Sequence, residues 1–296
     1  MGGIMGTLKY VYKVARIEQS LIVGISTWLI ALLSNGPLWF STPKVAVAFC
    51  MVCSCMGSSL FHYGRRADIY KRKWYDPVTV ARPWLLISIG SLLFAGSILI
   101  ALAYLPTGCL WIAVFNFLTI MLYANFLDQF WPWKNLVIAF VCSTPVAAGW
   151  LSGHRMHPIV PYLVAAIYGA YLAREILKDV IDRDANRGKR FTMVMSLGIK
   201  PTLRIAGMVL LASVCILAYA TQFLPLSVPD HPIWISARES YPFIIIVLYC
   251  LGMYFPLHLG WKLVRGGRFE NYYRYVDIGM VFLMLATLTI RVGLYN

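Results

Sequence analysis

The sequence predicts an all-α fold, a polytopic membrane helical bundle of about nine transmembrane helices. Three observations carry that expectation. Sixty per cent of the 296 residues are apolar and only 13% are charged, against roughly 25% charged in soluble domains. The apolar residues fall into runs near the ~20 residues that a helix needs to cross a hydrocarbon core. The basic residues, which give a formal net charge of +14, gather between alternate runs. A soluble globule of this length cannot hide so much apolar surface, whereas lipid can solvate it. Basic charge placed between spans reads as topology and phosphate chemistry, with no nucleic acid as partner.

Nine runs qualify: 20–35, 44–62, 84–105, 108–127, 135–152, 158–177, 202–224, 242–261 and 274–294. The first follows a basic tail with Lys9, Lys13 and Arg16, and ends at Asn35-Gly36-Pro37. It lacks a cleavage pattern and is expected to stay as a span. The second enters a loop bearing Arg65, Arg66, Lys71, Arg72, Lys73 and Arg82. Pro106-Thr107-Gly108 divides the third from the fourth, and Lys134 precedes the fifth. The fifth stops at Gly153-His154. The sixth leads into a second charged loop, Lys178 to Lys200. After the seventh, the connection 225–241 offers Trp234 and Tyr241 as interface anchors. The eighth is followed by Lys262, Arg265, Arg268 and Arg274, and the ninth closes the chain. Lipid offers backbone groups no partners, so these runs are helices and not open strands.

Twenty basic residues lie on one side of this arrangement and four on the other, namely Lys44, Arg155, Arg238 and Arg291. That asymmetry puts the N-terminus and the charged loops in the cytoplasm and the C-terminus opposite. An odd number of spans agrees with it. Residues 1–296 read as a single membrane-embedded domain, because no linker is long enough to divide them. The seven cysteines all lie within apolar runs, and read as small buried hydrophobes and not as a disulfide framework. His154 and His157 have helical metal spacing but no third ligand. Asn116 is expected to face a cavity or a neighbouring helix, and His258 to pack or line a cavity.

The second charged loop carries the strongest chemical signal. Asp179 and Asp182 are three residues apart, so on a helical turn they share one face. Two such carboxylates suit Mg²⁺, which completes its shell with phosphate and water. Neighbouring Lys and Arg side chains suit phosphate directly. The same residues equally describe a helix end in the headgroup layer whose charges pair with one another. Acidic groups beside membrane helices favour function.

Arg174, Glu175, Lys178, Asp179, Asp182, Gly188, Thr192 and Gly198 resemble the second aspartate-rich motif of the UbiA superfamily of intramembrane prenyltransferases. Asn186 stands where that motif has a third Asp. Arg16 with Gln19, Arg82-Pro83, Tyr123, Asn135, Pro145 and Gly149 are similar to positions elsewhere in the family, so the likeness spans most of the chain. The resemblance implies a UbiA-like bundle with Mg²⁺ as cofactor. It implies an isoprenoid diphosphate and a lipophilic or aromatic acceptor as partners, within membrane lipids. It further implies Asp179, Asp182 and Lys178 as catalytic residues, and Asp179, Asp182 and Asp68 as metal ligands. Arg65, Arg66, Lys71, Arg72 and Arg174 are the implied diphosphate-binding residues. Aromatic faces would stabilise an allylic cation. Trp84, Trp111, Phe115, Phe117, Trp150, Tyr168 and Tyr171 are candidates for that role, though packing explains each of them as well.

The chain departs from the family in two places. Counting back from Arg82-Pro83, the acidic positions of the family's first motif hold Arg65, Arg66, Ile69 and Lys73, leaving Asp68 and Asp76 nearby. Where the family often has a Lys, five residues after Tyr123, stands Asp128. Either these bases grip phosphate in place of a metal, or they pair with Asp128, Asp179 and Asp182 in a scaffold without metal. Attraction to anionic headgroups, ~1 kcal/mol per base, explains the cluster too. The expected activity is prenyl transfer at a cytoplasmic-side site. A membrane terpene cyclase and a catalytically silent lipid-binding or partner subunit are the alternatives. Ion-coupled transport is disfavoured by the scarcity of ionisable residues deep within the spans.

Overall fold

Apolar runs of this length fold as helices because only a helix satisfies its backbone within one segment. The computed structural model describes residues 12, 14–34, 40–65, 83–153, 158–187, 191–223, 240–266, 278–279 and 281–286. Its helices are α1 (Ile17–Ser34), α2 (Thr42–Arg65), α3 (Pro83–Tyr104), α4 (Thr107–Asn125) and α5 (Trp133–Leu151). They continue with α6 (Val160–Ile181), the short α7 (Arg183–Asn186) and α8 (Met193–Leu197), then α9 (Ile199–Ala220) and α10 (Ser240–Val264). Among the described residues, seven helices are long and apolar enough to cross a membrane: α2 to α6, α9 and α10. Helix α1 adds a shorter apolar helix. The expected ninth span, 274–294, lies outside the described residues except for 278–279 and 281–286, which are helical. No strand forms among the described residues beyond one backbone bridge.

Helix α6 runs further than its apolar run of 158–177, reaching Ile181. Lys178 and Asp179 are therefore part of the helix and not of a loop. Their charges are neutralised where they lie: Lys178 reaches Glu175 one turn back, and Asp179 pairs with Lys134. Pro161 starts the helix in its first turn, where a missing N–H costs nothing. Asp182 caps its end, its N–H donating to the Lys178 carbonyl at 2.9 Å.

Lipid tails are as apolar as leucine, so helices associate in a bilayer through close packing and polar contacts. Helices α2 and α3 make the most extensive contact. A side chain at Gly57 would come within 2.9 Å of the Gly90 carbonyl, and one at Gly90 within 2.8 Å of the Phe61 nitrogen. Ser54 and Ser97 hydrogen-bond across the same seam at 3.2 Å. Gly207 and Gly260 bring α9 against α10 in the same way. Helix α1 packs on α2 and α5, and α6 on α5 and α9. One core cluster is built around Ile30, Val146, Leu163, Leu217 and Tyr249. A second lies between α6, α9 and α10.

Pro145 lies within α5, where it leaves the Val141 carbonyl without its usual helical donor. The Thr144 hydroxyl donates to that carbonyl at 2.8 Å. It also accepts from the Asn116 amide of α4 at 2.9 Å. One threonine thus repairs the helix and ties it to its neighbour.

The outward faces are large and apolar, as lipid requires. Trp84 and Trp111 are 60% and 66% exposed there, and Phe115 is likewise exposed. Cys215 and Cys250 also lie on this outer face, while Cys50, Cys53 and Cys109 are buried; all seven cysteines are free. The expectation of uniformly buried cysteines holds for three only, because a thiol is small and apolar enough to face lipid too.

Candidate functional site

Antiparallel alternation brings the ends of α2, α4 and α6 and the starts of α3, α5 and α9 to one end of the bundle. The contacts there show it. Arg65, at the end of α2, donates to the Asn125 carboxamide at the end of α4. Gly64 lies against the Pro83 carbonyl that opens α3. The segment between α4 and α5 meets the segment after α7: Trp131 N donates to the Phe191 carbonyl at 3.1 Å, and Phe191 N to Gln129 at 2.9 Å. That bridge holds the first turn of α5 beside the last turns of α6.

A cavity of about 150 Å³ opens between α1, α2, α4, α5 and α6. Arg16, Lys134, Lys178 and Glu175 supply its charged lining. His62 and Tyr63 of α2, Tyr123 of α4 and Tyr171 of α6 supply its rings. Ser54, Ser58, Asn116 and Thr144 line it as well. Three bases and one acid thus line it beside polar and aromatic side chains, with Lys178 paired to Glu175 and Lys134 to Asp179. Arg16, just before α1, is a non-glycine residue with φ of 49°. A side chain in that region costs of order 1 kcal/mol and is kept where the surroundings enforce it. Its guanidinium lies 5.9 Å from the Tyr63 ring centroid.

Glu175 is buried between two bases, 3.4 Å from the Arg174 guanidinium and 3.7 Å from the Lys178 ammonium. Arg174 also lies 6.0 Å from the Tyr171 ring. Asp179 is 1% exposed and sits behind the cavity wall. One of its oxygens takes the Lys134 ammonium, and the other accepts from the Asn135 amide at 3.1 Å. Lys134 is itself 3% exposed. Asp182 is half-buried at the C-terminal end of α6.

The structure thus brings Lys178 to the cavity, Arg174 to its edge through Glu175, and Asp179 and Asp182 to the same end. Arg65 lies at that end, against Asn125. Arg66, Asp68, Lys71 and Arg72 lie outside the described residues, as do His154, His157 and Gly188. Asp128 is fully buried in a single turn, Leu127–Gln129. Of the seven aromatic candidates only Tyr171 lines the cavity. Trp84, Trp111 and Phe115 face outward, Phe117 packs on Phe94, Trp150 joins a core cluster, and Tyr168 is half-buried elsewhere. His258 stacks on Tyr254 on the outer face. Sequence reasoning missed Lys134 and Glu175 as site residues, and took Arg16 only as a topology signal and a family likeness. His62, Tyr63 and Tyr123 went unread as cavity rings.

Among the described residues no three His, Cys, Asp or Glu side chains cluster as a metal cage. Asp179 and Asp182 are two carboxylates at this end of the bundle, and Asp179 is already held by Lys134 and Asn135. Mg²⁺ is usually bound through one or two carboxylates, with phosphate oxygens and water completing its shell.

The described residues form an all-α membrane bundle in which bases and aromatic rings line one cavity. Its fold is that of the UbiA homologues. The chain is similar to a solved structure of digeranylgeranylglyceryl phosphate synthase, with a TM-score of 0.69 at 17% identity, covering 97% of this chain and 98% of that one. It is similar to a UbiA homologue from Archaeoglobus fulgidus bound to DMAPP and Mg²⁺, with a TM-score of 0.70 at 12% identity, covering 95% and 99%. The same homologue bound to GPP and Mg²⁺ gives a TM-score of 0.65 at 12% identity, covering 95% and 99%. No protein-family model matches the sequence, and no curated protein does.

Proposed function

We propose that this chain is an intramembrane prenyltransferase whose cavity binds an isoprenoid diphosphate at the cytoplasmic end of the bundle. One observation carries the reading: Arg16, Lys134 and Lys178 converge on one cavity in an apolar bundle. Structures of the same fold hold DMAPP or GPP with Mg²⁺, which supports it.

The three bases meet the phosphate oxygens. When the allylic C–O bond breaks, its electron pair leaves on the diphosphate, where fixed cationic groups stabilise the growing charge. The allylic cation left behind lies among Tyr63, Tyr123 and Tyr171, whose π faces favour it. The nucleophilic atom of a lipophilic or aromatic acceptor then forms the new bond, and the acceptor loses a proton to solvent. Asp179 and Asp182 would hold Mg²⁺, which supplies further neutralisation of the diphosphate. Asp68 is the proposed third metal ligand. Arg65, Arg66, Lys71, Arg72 and Arg174 are proposed to close the phosphate end.

The test is diphosphate release by the purified protein from dimethylallyl, geranyl, farnesyl and geranylgeranyl diphosphates. It is run with and without Mg²⁺, beside an Asp179→Ala/Asp182→Ala variant. Release by the native chain that depends on Mg²⁺ and both acids is expected. Products formed without acceptor would reassign the chain as a cyclase. Silence with every diphosphate would overturn the enzymatic reading in favour of a lipid-binding or partner subunit.

A further inference from the structure

We propose that Lys134 is a resident counter-ion that holds Asp179 until a diphosphate arrives, so that the metal binds only together with the diphosphate. The inference rests on reading the cavity as a diphosphate site. Its starting point is the state of Asp179: both carboxylate oxygens are already engaged, by the Lys134 ammonium and the Asn135 amide. All three side chains are almost fully buried. A bare divalent ion would have to break a buried pair and turn the ammonium into a cavity whose one acid, Glu175, is already held by Arg174 and Lys178, which is unfavourable.

A diphosphate removes that obstacle. Lys134 is the member of the pair that also lines the cavity, beside Arg16 and Lys178. An ammonium carries three donors, and phosphate oxygens in the cavity offer them acceptors. Lys134 then passes from Asp179 to phosphate without being stranded, and the released carboxylate is free for the metal. A second observation points the same way. The Asn135 carbonyl oxygen is buried and has no hydrogen-bond partner. It is a hard oxygen beside Asp179, of the type that Mg²⁺ takes.

Local sequence supports the idea that Lys134 is a device and not a packing residue. It lies in the first turn of α5, where the helix dipole disfavours a cation. Its pairing with Asp179 offsets the cost of a buried lysine there.

The experiment measures protein-bound Mn²⁺ by EPR, as a probe for Mg²⁺, with and without inorganic diphosphate. Free complex is removed by gel filtration. For the full chain in detergent, inorganic diphosphate is expected to tighten Mn²⁺ binding by about tenfold or more. In Lys134→Gln, Mn²⁺ alone should bind about tenfold more tightly than in the native chain, and the coupling to diphosphate should shrink. In Asp179→Asn, diphosphate without metal should bind more tightly, because Lys134 is released to it. Lys134→Arg should keep the coupling.

Equal Mn²⁺ binding by the native chain with and without diphosphate would overturn the inference. So would a folded Lys134→Gln variant with native metal affinity. If Lys134→Gln does not fold, the native coupling and Asp179→Asn decide the matter. Diphosphate binding without metal coupling sinks this inference alone. Absence of both metal and diphosphate binding sinks the functional reading with it.

Discussion

Arg16 shows how much of this site depends on single side chains under constraint. Its backbone is held at positive φ while its guanidinium faces the cavity. Glycine adopts that backbone freely, so Arg16→Gly removes local strain and one of three cavity bases together. The expected result is a melting temperature that holds or rises, with an apparent KM for the diphosphate about tenfold higher. A thermal melt beside a kinetic titration checks both. A fall in stability with unchanged KM would make Arg16 a structural residue. Glu175 works in the opposite sense. Pinned between Arg174 and Lys178, it keeps two long bases from spreading and lowers their net charge. Glu175→Gln should therefore strengthen diphosphate binding in a filter or calorimetric assay, by several-fold for a buried charge. Weaker binding would mean that Glu175 positions Lys178 more than it neutralises it.

At the scale of the helix, α5 is the element that assembles the site. It places Lys134 in its first turn, and Thr144 with Pro145 halfway along. Thr144→Val would leave two groups without partners, the Val141 carbonyl and the Asn116 amide. Each such loss costs about 1–3 kcal/mol, so a clear drop in melting temperature is expected. Asn116→Leu in the same chain should recover part of it, which a double-mutant cycle would read as a coupling between α4 and α5. Independent, additive losses would refute the pairing. These elements differ in how far the sequence revealed them. Seven of the nine expected spans coincide with helices long and apolar enough to cross, because lipid demands a run of fixed length. The shared end of Asp179 and Asp182 was legible because three-residue spacing is a local property of a helix. Lys134 lies 45 residues from Asp179, and no local pattern announces a pairing that only the bundle creates. The cavity rings were illegible for a related reason. Helices such as α3 and α4 are apolar all round, so no polar stripe separates the lipid face from the inner face. Bulky aromatics chosen from such helices, Trp84, Trp111 and Phe115, fell on the lipid side.

At the scale of the molecule, the charged ends, the cavity and the aspartates share one end of the bundle, and the side of the membrane they face decides which diphosphate pool reaches them. The basic excess of twenty against four is the ground on which we propose that this end faces the cytoplasm, since translocation disfavours Lys and Arg in short loops. The geometry makes this testable at two exposed positions. Arg187 follows α7 at the cavity end, and Thr107 starts α4 at the other. Arg187→Cys is expected to react with a membrane-impermeant maleimide only from the cytoplasmic face, in inside-out vesicles. Thr107→Cys should react only from the opposite face, in right-side-out vesicles. The native cysteines all lie within apolar segments, and the unsubstituted chain gives the background for both. Because the two positions sit at opposite ends of one bundle, they must label reciprocally. The reverse pattern would move the cavity to the other side of the membrane. The ligand would then have to be an isoprenoid diphosphate presented there, and the basic loops would owe their charge to phosphate and not to topology.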